Sequence, residues 1–191
     1  MRRFALTLSI LAVFLAGCGS IRARAPRGGG FFDQFVTEPS RKAASRQDRR
    51  PQLARIERET ADWVWPLAQV ELTSHFGRRK GSFHEGIDLR APVGTRVRAV
   101  QRGRVVFAGT VSGYGKLIVI RHENELFSVY AHNSKILVKE GERVKQAQII
   151  SRSGKTGCAT GPHLHFEVRH REVALDPLPL FKRKRSQLAL K

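Results

Sequence analysis

Beyond Trp63 the chain breaks into short runs of β-forming residues, "AQVELTS", "TRVRAV", "GRVVFAG", "KLIVIRH", "LFSVYAH" and "HLHFEV", punctuated by glycine. Short strands at close spacing, with almost no helical periodicity between them, argue for an antiparallel all-β domain. The expected fold class is therefore all-β: a compact antiparallel, sandwich-like sheet domain with few helices. Gly94, Gly103, Gly109, Gly113, Gly115 and Gly141 are expected to supply the turns. No fixed-period repeat is visible.

Upstream the texture differs. Residues 19–61 carry "RARAPRGGG" and "RKAASRQDRRPQ", rich in Arg, Gly, Pro and Ser and poor in aliphatics, which reads as a tether. As a flexible coil it averages roughly 35 Å end to end. Within it "LARIERETADW", residues 53–63, has good helix formers and predicts a short helix. The first residues, "MRRFALTLSILAVFLAGCGS", combine a basic start, an apolar run over 4–16 too short to span a membrane comfortably, and small residues. That is an export signal. Its end, "LAGC", resembles the bacterial lipobox, which implies lipid on Cys18; a plain signal peptide or buried helix with a chance cysteine is the other reading. The expected organisation is a signal peptide over 1–17, lipidated Cys18 and a basic linker over 18–61, the folded domain over 62–181, and a basic, solvated tail over 182–191.

The chain's 35 Lys+Arg against 16 Asp+Glu give a formal net charge of +19, which draws it to polyanions: nucleic acid, anionic membrane surfaces or an acidic wall polymer. Export removes nucleic acid from that set. There are two cysteines, and with lipid on Cys18 no disulfide partner remains for Cys158, which reads as a small packing residue in a glycine-rich loop. The phosphate-loop pattern also fails, because "SGKTG" has Ile149 where a glycine is required.

Chemistry concentrates in "GPHLHFEV". In an extended strand His163, His165 and Glu167 share one face and Leu164, Phe166 and Val168 the other. A half-buried strand with two exposed histidines would look the same, so partners must decide. "FHEGIDLRAP" supplies His84 and Asp88, with Gly86 between them for close backbone approach, and "VYAHN" ends a run at His132. A catalytic zinc site takes three N/O ligands and leaves a fourth position for water. His84, Asp88 and one histidine of the His-x-His pair fill that inventory.

With their flanks, these segments ("H-x-G-x-D", "Y-A-H", "T-G-x-x-T-G-P-H-L-H-F-E-V-R") resemble the lysostaphin and LytM-type family of zinc metallopeptidases, which cut peptide bonds in bacterial peptidoglycan. The likeness runs from Trp65-Pro66 to Asp176-Pro177 and includes "SHFGRR", "APVGTRVRAVQRGRVVFAG", "GYGKLIVIRH" and "VKEGERVKQAQII". It implies Zn²⁺ ligated by His84, Asp88 and His165, with His132 and His163 activating the water and steadying the oxyanion. Glu167 reads as a solvated glutamate, with a carboxylate orienting a ligand as the alternative. Tyr114 lines a substrate groove or packs on the domain, Arg78 and Arg79 meet substrate carboxylates or are plain surface charge, and Gly161-Pro162 fixes the start of the strand. Two departures stand out: Ser151 where many relatives have glycine, and no separate wall-binding module.

The resemblance implies a peptidoglycan endopeptidase, with D-Ala–diaminopimelate crosslinks the bond expected of a lipid-anchored protein. Gly19 after the cysteine points to the outer membrane, facing the periplasm. The rival is a LytM-fold lipoprotein without catalysis that activates cell-wall amidases; a basic polyanion-binding surface protein would leave the five site residues unexplained. The apolar stretch "GGGFFDQF", residues 28–35, is odd in a linker. Phe31, Phe32 and Phe35 could block the groove, with Asp33 near the metal, or dock on a regulatory protein or the membrane.

Overall fold

A computed structural model of the chain describes residues 46–79, 81–181 and 188–190. Residues 1–17, Cys18 and the stretch 28–35 lie outside them. In chain order the elements are helix α1 (Arg46–Glu59), then strands β1 (Val70–Ser74), β2 (Gly77–Arg79), β3 (Ser82–His84), β4 (Ile87–Arg90), β5 (Arg96–Arg98), β6 (Gly103–Val111) and β7 (Gly115–Arg121). After a 3₁₀ turn follow β8 (Leu126–Asn133), β9 (Lys135–Ile136), β10 (Arg143–Val144), β11 (Ile149–Arg152), β12 (His163–His170), β13 (Val173–Leu175), the one-turn helix α2 (Pro177–Leu180) and β14 (Leu188–Leu190). All six β-type runs read from the sequence fall on strands, and the fold is the expected all-β one.

The main sheet runs β10-β6-β7-β8-β12-β4-β1-β14, with β13 beside β12; smaller sheets are β5-β11-β9 and the β2-β3 hairpin. Every described pairing is antiparallel except β1 with β14. Alternation sends Leu164, Phe166 and Val168 of β12, Tyr130 of β8, Ile118 and Ile120 of β7, and Ile87 and Leu89 of β4 to one face, where all are fully buried. Trp65 and Phe181 close over them, their rings stacked 4.3 Å apart, and Phe166 meets Phe181 edge-on at 6.0 Å. Burying Phe166 this way is worth about 1.5–3 kcal/mol over leaving it in water.

Three expectations need amending. Helix α1 starts at Arg46, running through Pro51, which forfeits one backbone bond, and it anchors through buried Ile56, whose carbonyl accepts from both the amide and the hydroxyl of Thr60 at 2.9 Å. The last stretch of residues 18–61 is thus packed on the domain. Gly94, Gly113 and Gly141 take positive φ in turns and Gly115 does so as the first residue of β7, but Gly103 and Gly109 belong to β6. There a Cβ on Gly103 would fall 2.5 Å from the Arg121 carbonyl, so close strand approach, rather than a turn, requires the glycine. In the basic tail, Leu188–Leu190 pairs in parallel with β1, Val70 opposite Leu188.

Candidate metal centre

The site stands on the sheet face opposite that core. His84 closes β3, Asp88 lies in β4, and antiparallel register sets Asp88 directly opposite His165 of β12. The β3–β4 corner can lie this close to β12 because residue 86 is glycine: a Cβ there would sit 2.4 Å from the Phe166 carbonyl. The close approach expected of Gly86 is what the structure has.

Three donor atoms converge. His84 Nε2 lies 3.1 Å from Asp88 Oδ1 and 3.1 Å from His165 Nδ1, and His165 Nδ1 lies 3.0 Å from Asp88 Oδ1. The outer nitrogen of each imidazole fixes its tautomer. His84 Nδ1 faces the His75 carbonyl at 2.7 Å, and a carbonyl can only accept, so the ring proton is on Nδ1. Arg79 Nη2 is 2.6 Å from the same nitrogen, and its two hydrogens go to Ser74 Oγ and Asp88 Oδ2. His165 Nε2 donates to Glu167 Oε1 at 2.9 Å. With both outer nitrogens protonated, His84 Nε2, His165 Nδ1 and Asp88 Oδ1 turn toward one another, an arrangement that a shared proton or a metal ion between them makes stable. Ligands 2.0–2.2 Å from a tetrahedral zinc lie about 3.3 Å apart, close to these separations, so the donor set fits the ion.

The electrostatics follow from those contacts. Burial works against the Asp88 carboxylate, yet hydrogen bonds from His165 and His84 hold it well below the ordinary carboxylate range. Burial also opposes charge on His165, but Asp88 and Glu167 outweigh it and hold that imidazole up at about 9. Without a metal the cluster keeps a proton; a metal displaces it.

His132 and His163 stand beside the cluster, their rings 4.7 Å apart. His132 Nδ1 donates to the Thr156 carbonyl at 2.8 Å and His163 Nδ1 to the Gly161 carbonyl at 2.9 Å, so each keeps Nε2 for chemistry. His163 Nε2 is 3.6 Å from Asp88 Oδ1. His132 adopts φ +61°, rare for a residue with a side chain, and burial first, then its histidine neighbours, lowers its pKa to about 4. It is a neutral base at physiological pH.

All five residues line one open cleft of about 400 Å³, together with Arg79, Phe83, Tyr114 and Cys158. Arg78 is exposed and is not among the lining residues; its neighbour Arg79 is, and it grips Asp88. Cys158, expected as a packing residue, is exposed on the cleft wall.

Glu167 overturns its solvated reading. It is fully buried, because Tyr114 donates to its Oε1 at 2.8 Å and Arg169 to its Oε2 at 2.6 Å, beside the bond from His165. Burial opposes its charge, but His165 and Arg169 keep its pKa lowered, while burial and the Glu167 charge push the Tyr114 phenol far up. Arg169 also donates to Glu85 at 3.1 Å. Sequence reading gave Arg79 to substrate carboxylates or plain surface charge, where it instead grips Asp88, and it missed Glu85 and Arg169, although Arg169 continues the alternation that marks 163, 165 and 167. Ser151, the position of the departure, is buried in β11 and donates to Asn133 Oδ1 at 2.7 Å.

Comparison with known proteins adds to the geometry. Residues 82–177 match the model of Peptidase family M23. A "Lipoprotein NlpD/LppB homolog" of Pseudomonas aeruginosa is 40% identical over 123 residues, 64% of this chain and 40% of that protein. A "Murein hydrolase activator NlpD" of Escherichia coli is 39% identical over 117 residues, 61% of this chain and 30% of that protein. The solved structure of the antimicrobial peptidase lysostaphin from Staphylococcus simulans superposes with a TM-score of 0.58 at 35% identity, over 61% of this chain and 52% of that one. The chain spans less than half the length of these two curated relatives.

Proposed function

Because this chain belongs to peptidase family M23, we propose that it is a zinc-dependent hydrolase of peptide crosslinks in bacterial peptidoglycan. The observation that carries the reading is the convergence of three lone pairs, from His84 Nε2, Asp88 Oδ1 and His165 Nδ1, at the floor of a cleft flanked by two further imidazoles. Zinc held by those three atoms would supply a Lewis acid and a water that ionises near neutrality. His132 Nε2 takes a proton from the water as its oxygen bonds to the scissile carbonyl carbon. It then returns that proton to the amine as the C–N bond breaks. His163, whose Nε2 faces the cleft, steadies the oxyanion. Arg79 and Glu167 hold Asp88 and His165 in place. The bond proposed is D-Ala–diaminopimelate, met by a protein exported through residues 1–17 and anchored by lipid on Cys18 at the outer membrane.

The test is mass spectrometry of muropeptides after incubating crosslinked peptidoglycan with the full chain and zinc, beside His132→Ala. Loss of crosslinked dimers with the parent alone is expected; unchanged dimers with a zinc-loaded, folded parent would overturn the reading.

A second reading is favoured by the relatives' names. Matches called murein hydrolase activators support, better than they support hydrolysis, a protein that switches on a separate amidase. On that reading the variant and the parent alike leave dimers intact, and an added amidase is stimulated by both.

A further inference from the structure

One row of directly opposed residues crosses the main sheet: Arg143 on β10, Arg104 on β6, Arg121 on β7, Phe127 on β8 and Arg169 on β12. Opposed residues share a face, and alternation along β12 makes it the face of Glu167 and His165. Arg169 is taken by Glu167 and Glu85. The outer three are not: Arg143 and Arg104 are exposed, Arg121 is half-buried, and among the described residues none of them bonds a carboxylate.

Like charges directly opposite destabilise a sheet. Charge that guards an edge strand against aggregation accounts for Arg143 on β10, the outermost strand, but not for Arg104 and Arg121, which stand on interior strands. Three arginines on neighbouring strands, about 5 Å apart at the backbone and with no carboxylate partner among the described residues, match a partner bearing several carboxylates.

We propose that Arg104, Arg121 and Arg143 bind free carboxylates of the wall polymer's peptide stems. The inference rests on the proposed substrate. From strand spacing and rise, the row lies on the order of 20 Å from His165, so the carboxylates belong to a stem beside the crosslink in the cleft. A membrane surface is the weaker partner, since a plane resting on this side of the sheet would cover the cleft as well.

The experiment is co-sedimentation of the full chain with purified peptidoglycan sacculi and, separately, with vesicles of phosphatidylcholine and phosphatidylglycerol. The triple variant R104Q/R121Q/R143Q is compared with K135Q/K139Q/K145Q, which removes the same charge from exposed lysines. Sacculus binding should weaken about tenfold in the arginine triple and less than about twofold in the lysine triple, with the arginine triple's melting temperature unchanged or raised. Equal losses would reduce the row to diffuse charge, no loss in the arginine triple would refute it, and a loss on vesicles alone would hand it to the membrane. Should the triple unfold, R104Q/R143Q, both exposed, decides by the same criteria. Cleavage of soluble crosslinked dimers should be equal in all variants; a parent that cuts none defeats the hydrolase reading, while sacculus binding still judges the row.

Discussion

The two faces of β12 are built from alternate residues of one eight-residue strand, and they are stabilised in opposite ways. On one face Leu164, Phe166 and Val168 are buried by contacts that have no direction. On the other, His163, His165, Glu167 and Arg169 are each held by named partners at hydrogen-bond distance. The first face sets how stable the domain is. The second sets which atoms face the cleft, and a single lost partner there leaves another group buried and unpaired.

Exchanging damage between the faces should separate those roles most sharply. Phe166→Ala is expected to cost about 3–5 kcal/mol in denaturant unfolding while the folded fraction keeps its zinc. His165→Ala is expected to abolish zinc binding and hydrolysis. A Phe166→Ala protein that folds but holds no zinc would break the division.

The core face has its own buried histidine. His122 Nδ1 donates to the Arg102 carbonyl at 2.8 Å and its Nε2 meets the Ser128 hydroxyl at 2.7 Å, beside the Tyr130 hydroxyl that accepts from the Val100 amide at 3.0 Å. Burial lowers its pKa to about 4. The unfolded chain, with an ordinary pKa of about 6.5, therefore binds the proton first. Stability from this group is complete above pH 6.5 and is lost, by about 3 kcal/mol, as pH falls to about 4. Unfolding midpoints across that window should show the slope, and His122→Gln should reduce it to the share of His132, whose pKa is lowered alike.

Glu167→Gln tests the site face at its support. Zinc affinity should drop about 10–100-fold by calorimetry, because His165 loses the carboxylate that fixes its tautomer, and stability should drop because buried Arg169 loses its main counter-charge. The smallest effect is expected of Tyr114→Phe, which removes one hydrogen bond to Glu167: about 1 kcal/mol in unfolding and a few-fold in zinc affinity.

Legibility in the sequence followed the range of the interaction. The strands and the His-x-His face were readable because alternation is local, and Gly86 because a crowded corner admits little else. The Arg169–Glu85 bond spans 84 residues of chain, and no local pattern foretells it. Glu167 looked solvated for the same reason: what covers it is Tyr114, brought over from the β6–β7 turn. The start of α1 was misjudged because Pro51 reads as a boundary, and Arg79 because a charged hairpin residue looks the same whether it faces water or a carboxylate.

If His84, Asp88 and His165 are assembled for a metal, the chain must take one up. Titrating zinc into the chelator-treated full chain, with bound metal and released protons counted together, tests it most directly. Expected are one zinc per chain, proton release at neutral pH as His165 gives up its proton, and no such binding by His165→Ala. A folded parent that takes up no zinc, or a His165→Ala chain that holds it as tightly, would mean that these three residues do not form a metal site.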